Sequence, residues 1–193
     1  LGRGKNAEGV GLITYMRTDS VRLSPDAVND CREYIAKKYG KDSAPEQPNF
    51  FKTKKQNVQD AHEAIRPTEP GRSPDSVKGQ LRSDLFKLYD LIWRRFMSCQ
   101  MTPAEYLSTT LVVKNGPFEL RTRGRILVFD GHTRIQRPSG KGDQNAPLPD
   151  VEVGSTLRVV GLDPAQHFTK GPSRYGEASL VKELEKRGIG RPS

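Results

Sequence analysis

Cysteine is scarce: Cys31 and Cys99 are the only two in 193 residues, too few for a disulfide framework and without metal-ligand spacing. Both fall inside helical patterns at positions that suit a small apolar residue, which reads as buried free thiols in a reducing, intracellular setting. No apolar run approaches the roughly 20 residues of a membrane span, and the polar start Leu1-Gly-Arg-Gly-Lys5 is unlike a signal peptide. A soluble, cytoplasmic protein with no membrane partner is the expectation. Acidic groups are outnumbered, 23 against 32 basic ones, for a net charge of +9 and a pI near 9.7. That balance favours a polyanionic partner, nucleic acid ahead of an acidic membrane. The basic excess is spread along the chain, and no internal repeat is present.

The chain is long enough for one or two ordinary domains. Ser24-Pro25-Asp26 is a strong helix start, with an N-cap serine, proline at the first position and an acid in the first turn. Ala27, Val28, Cys31, Tyr34 and Ile35 follow at helical spacing until Gly40. Residues 41–58 read as a loop. Residues 83–100 form the longest helix candidate, with Leu85, Leu88, Tyr89, Ile92, Trp93, Phe96 and Met97 on one core-facing stripe.

After Thr102-Pro103 the pattern turns to β, with strands expected over 106–113, 118–122, 125–130 and 156–162 and a turn at Asn115-Gly116. Arg121, Arg123 and Arg125 alternate and would share one face if a strand ran through Gly124. Such a comb could track a phosphate backbone; the plainer alternative is a solvated face beside a glycine turn. Residues 136–149 read as an exposed loop. Leu180, Val181 and Leu184 then stripe a helix that Gly188 stops.

Three stretches carry chemistry. Gly11-Leu-Ile-Thr-Tyr-Met-Arg-Thr-Asp-Ser20 sets Tyr15 two positions from Arg17. A phenol with a pKa of about 10 needs help to act as a nucleophile at neutral pH, and a guanidinium can grip two phosphate oxygens at once. An extended chain would aim both side chains to one side. The alternative is an ordinary strand end with Tyr15 half-buried and Arg17 solvated. In Gln59-Asp-Ala-His-Glu-Ala-Ile-Arg-Pro-Thr68, Pro67 is expected to end a short helical turn, clustering His62, Glu63 and Arg66, with His62 and Arg66 on one face. His62 could bond a phosphate or relay a proton, or be a plain surface residue. A zinc protease is disfavoured, because position 66 is arginine where the second histidine belongs. The third stretch runs from Gln166-His-Phe-Thr-Lys170 through Ser173-Arg-Tyr175 to Gly190-Arg-Pro-Ser193.

These segments resemble, in the same order, the signatures of the type IA DNA topoisomerases, and the Tyr-Met-Arg-Thr-Asp-Ser wording is most similar to the bacterial topoisomerase I branch. One departure is Lys170-Gly171-Pro172, where the family usually has Lys-Pro-Pro. The resemblance implies an α+β, multidomain fragment of a larger enzyme: a mainly helical tyrosine domain (1–100), a β-rich arch segment (101–170) and the start of a further helical domain (171–193).

By the same resemblance Tyr15, Arg17 and His62 are the catalytic residues, while Asp19, Arg191 and Ser193 contact DNA. The implied partner is DNA, especially single-stranded, and the implied state a nucleoid-associated monomer. Mg2+ would serve the complete enzyme from a toprim domain, since no Asp-x-Asp-x-Glu run occurs here, so these residues alone are not expected to relax supercoils. The competing reading is a non-enzymatic single-strand-binding module in which Tyr15 only stacks on a base.

Overall fold

The computed structural model describes residues 10–18, 20–51, 62–136 and 147–190. The fold class is α+β, with helices and one two-stranded antiparallel sheet. Contacts divide the chain into two units, residues 1–147 and 148–192.

In the first unit, helix α1 spans Pro25–Tyr39. Its N-cap Ser24 accepts the Ala27 N–H through Oγ at 3.3 Å, and Gly40 closes it with φ 97°. Helix α2 is the short Pro74–Val77, and α3 spans Ser83–Cys99. The core lies where α1 meets α3: Ala27, Cys31 and Ile35 pack with Tyr89, Trp93, Phe96 and Met97, and Val77, Met101 and Ile135 complete the cluster. Tyr34 meets Trp93 edge to face at 5.9 Å.

The polar tips of the core aromatics are satisfied by one turn, since Trp93 Nε1 donates to the Pro70 carbonyl at 2.9 Å and the Tyr89 hydroxyl to that of Arg72 at 2.5 Å. Polar atoms buried with aromatic rings need such partners. The expected α3 stripe is only partly covered. Tyr89, Trp93, Phe96 and Met97 are buried, but Leu85 and Leu88 at the helix's N-terminal end stay exposed, because no described element packs there.

Strands β1 (Glu105–Asn115) and β2 (Phe118–Phe129) form a hairpin joined by Gly116-Pro117. Gly116 has φ 57°, the positive value that the first position of a two-residue type II′ loop takes. The two strands expected on either side of Gly124 are one continuous strand, since Gly124 pairs with Thr109 in an unbroken register. The alternation places Tyr106, Ser108, Thr110, Arg121, Arg123 and Arg125 on one face. The other face carries Leu107, Leu111, Val113, Leu120 and Ile126. At the base of the hairpin Gly131 (φ 45°) sits against the Pro103 and Thr102 carbonyls.

The second unit contains helix α4, Glu177–Lys186. Ser179 Oγ accepts the Gly176 N–H at 2.9 Å, and Gly188 follows the helix with φ 72°. Leu180 and Val181 are nevertheless exposed and Leu184 is half-buried. The strand expected over 156–162 is absent: these residues take no regular structure, and Val159, Val160 and Leu162 are exposed. A strand exists by pairing, and no described segment offers this one a partner. No helix among the described residues is long and apolar enough to cross a membrane.

Candidate active site

Tyr15 projects just beyond a segment, Leu12 to Thr14, pinned by residues some fifty positions downstream. Ile13 and Pro67 form an antiparallel bridge. Thr14 N–H donates to the Arg66 carbonyl at 2.9 Å, and Thr68 N–H to the Leu12 carbonyl at 3.0 Å. The Thr14 hydroxyl adds a second pin, donating to the Ala64 carbonyl at 2.9 Å and accepting the Arg66 N–H at 3.0 Å. The 62–67 segment is therefore not helical but bends at Ile65 and bridges at Pro67, which corrects the expected helical turn. Its backbone groups are taken by the Tyr15 segment and by Arg22, whose carbonyl accepts the Ala64 N–H at 2.8 Å.

Immediately after Thr14 the pairing stops. The Arg17 N–H donates to the Tyr15 carbonyl at 3.1 Å, closing a three-residue turn in place of the extended geometry expected there. Tyr15 is 77% exposed and Arg17 is half-buried. This inverts the strand-end alternative, in which the tyrosine would be tucked in and the arginine solvated. An exposed phenol next to a held guanidinium suits chemistry on an external ligand.

His62 completes the group. Its ring centroid lies 6.2 Å from that of Tyr15, and Nε2 is 3.4 Å from Arg17 Nη1. A guanidinium only donates, so Nε2 is the acceptor and the proton of the neutral ring falls on Nδ1. That Nδ1 is buried and has no hydrogen-bond partner among the described residues.

Arg66, expected on one face with His62, turns elsewhere. It forms a two-pronged ion pair with Glu63, with Nε at 2.9 Å and Nη2 at 3.0 Å, and Glu63 also accepts the Ser24 N–H at 2.8 Å. Burial pushes the Glu63 carboxyl up, but the hydrogen bonds from Arg66 and Ser24 outweigh it and hold it below its ordinary 4.5. Glu63 thus ties the His62 segment to the start of α1. Sequence reasoning clustered Glu63 with His62 and Arg66 but gave it no role, and it gave Thr14 none. The one available signal was Glu63's place inside the His-Glu-Ala-Ile-Arg-Pro run. Asp19, Arg191 and Ser193 lie outside the described residues.

A family model described as DNA topoisomerase matches residues 8–193. The chain belongs to the DNA topoisomerase family. It is 57% identical over 183 residues to DNA topoisomerase 1 of Vibrio cholerae, covering 95% of this chain and 20% of that protein. Identity to DNA topoisomerase 1 of Escherichia coli is also 57%, with 95% and 21% covered. Full-length topoisomerase I from Thermotoga maritima is a structural neighbour with TM-score 0.69 and 32% identity, covering 95% of this chain and 29% of that one. The chain thus spans about a fifth of the length of the curated topoisomerases it matches.

Proposed function

We propose that Tyr15 is the nucleophile of a type IA topoisomerase reaction, in which one DNA strand is cut and rejoined to relax negative supercoils without ATP. The Tyr15 oxygen attacks a backbone phosphorus and gives up its proton. The bond to the 3′ oxygen breaks, that oxygen leaves as a hydroxyl, and the 5′ phosphate stays on the tyrosine as an ester. The reverse attack by the 3′ hydroxyl restores the strand and frees the phenol. No phosphoester bond is lost to water, which is why no external energy source is needed.

The observation that carries this reading is the trio itself: an exposed phenol, a half-buried guanidinium and a histidine ring bonded to it. Arg17 would stabilise the charge that develops on the scissile phosphate. His62 would hold the guanidinium in place and meet a phosphate oxygen through its ring. Asp19 would orient the basic groups, and Arg191 and Ser193 would hold single-stranded DNA away from the chemistry. Mg2+, proposed for the complete enzyme, would be held by other residues: among the described ones no three His, Cys, Asp or Glu converge. The setting proposed is the bacterial cytoplasm, at the nucleoid, as a monomer.

A single-strand-binding module is the second reading, favoured by one observation: the exposed Tyr15 ring beside the His62 ring could stack on a base. End-labelled oligonucleotides separate the two. In a protein of the relatives' full length, denaturation should leave the 3′-end label covalently attached and release the 5′-end label. Tyr15→Phe should abolish the attachment and spare non-covalent binding. Attachment that survives the substitution refutes the assignment, and binding with no attachment in the wild type favours the module. The 193 residues alone are expected not to relax negatively supercoiled plasmid.

A further inference from the structure

The hairpin's two faces differ in chemistry. One carries Leu107, Leu111, Val113, Leu120 and Ile126 together with Thr109 and Thr122; the other presents Ser108, Thr110, Arg121, Arg123 and Arg125, with Val112 and Leu127 among them. A groove of about 650 Å³ opens where the second face meets the C-terminal end of α3, and its walls include Phe50, Phe51, Tyr106, Arg95, Arg125 and His132. None of the described residues lining it is acidic. Phe50 and Phe51 expose 74% and 48% of their surface.

Arg125 stacks over the Tyr106 ring at 4.4 Å. His132 Nδ1 accepts the Ala104 N–H at 3.3 Å, which leaves Nε2 as the protonated nitrogen of the neutral ring. Arg125 also lines a second cavity, with Ser108, Thr109, Thr110, Arg123 and Gly124, so it borders both. Arg121 is engaged by Glu119 and is left out of the path.

We propose that this groove and the Arg123–Arg125 face bind a single DNA strand, at a site that shares no residue with Tyr15, Arg17 and His62. Rings that every base can stack on, next to cations that follow the backbone, are the combination that sequence-independent single-strand binding uses. Side chains two apart on a strand lie about 6.6 Å from each other. Arg123 and Arg125 can therefore each meet a phosphate of one strand. A duplex fits poorly, because its bases are not free to enter between Phe50, Phe51 and Tyr106. The proposal stands apart from the cleavage chemistry and is read without it.

Binding of a fluorescein-labelled oligothymidylate to the 193-residue protein, followed by anisotropy over a range of salt, is the test. Phe50→Ala/Phe51→Ala should weaken binding about 5- to 100-fold and leave the salt dependence unchanged. Arg123→Gln/Arg125→Gln should weaken it and lower the log–log salt slope by about 1.4, or 0.7 per phosphate contact. Lys37→Gln/Lys87→Gln, which removes the same charge from exposed helical positions, should leave the slope alone. Thermal unfolding of each variant checks that the exposed substitutions keep the fold. Wild-type affinity within twofold in either of the first two variants overturns the proposal. An equal slope change in the lysine control, or equally tight binding of a duplex of the same length, overturns it too. Each readout is non-covalent, so this result and that of the adduct experiment can differ.

Discussion

Replacing Glu63 with glutamine tests the pin beneath the candidate site. The carboxylate accepts three hydrogen bonds, one from the Ser24 N–H and two from Arg66. Glutamine keeps one acceptor oxygen, but its amide would point N–H groups at Arg66, which only donates. A charge-assisted hydrogen bond contributes about 1.5–3 kcal/mol. Glu63 is 26% and Arg66 14% exposed, so solvent screening sets the expected loss near the lower part of that range, about 2 kcal/mol. For a chain of this size that is a drop of roughly 4–8 °C in Tm. The pH dependence is the sharper signature. A carboxylate whose folded value is lowered stabilises the fold above its unfolded value and loses that contribution as pH falls through the folded one. The wild type should therefore exceed Glu63→Gln fully at neutral pH, and the gap should close as pH drops below the ordinary value of 4.5. Thermal unfolding of both proteins from pH 3 to pH 7 measures it. An unchanged Tm at pH 7, or a gap of the same size at every pH, would refute the pin.

Three further outcomes are expected. Trp93→Phe strands the Pro70 carbonyl and leaves space in the core, and urea unfolding should show a loss of about 2–4 kcal/mol. Gly131→Ala would bring a Cβ within 2.5 Å of the Pro103 and Thr102 carbonyl oxygens; the strained φ and backbone clash should cost about 2–3 kcal/mol by the same assay. Burial pushes both cysteine thiols above their ordinary value, and Cys31 is fully buried. Ellman's reagent should find Cys31 unreactive and Cys99 slow in the native protein, with both reacting in denaturant. Two fast native thiols would contradict the packing of α1 on α3.

Elements specified by their own residues were legible in the sequence. Ser24-Pro25 starts α1 through a local cap, Tyr89 to Met97 repeat at the helical period, and Asn115-Gly116-Pro117 turns the hairpin. Elements that depend on a distant partner were not. Residues 156–162 have strand composition, yet a strand needs a neighbour. The 62–67 segment looks like one helical turn when read alone and is not helical because Thr14 and Arg22 take its backbone groups. Leu85 and Leu88 fit the α3 stripe, but the packing of α1 stops short of them. The residue types of the candidate site, Tyr15, Arg17 and His62, could be read from the sequence. Their arrangement could not, because Tyr15 owes its exposure to a turn and Arg17 its placement to a ring 45 positions away.

Peptide mapping of a trapped DNA adduct tests the central claim most directly. A protein of the relatives' full length is mixed with a single-stranded oligonucleotide and Mg2+, denatured, digested with nuclease and protease, and analysed by mass spectrometry. The account predicts a nucleotide joined through its 5′ phosphate to the Tyr15 oxygen, in a peptide that Tyr15→Phe no longer yields. A nucleotide on Tyr34 or any other residue, or a 3′ linkage, would contradict it.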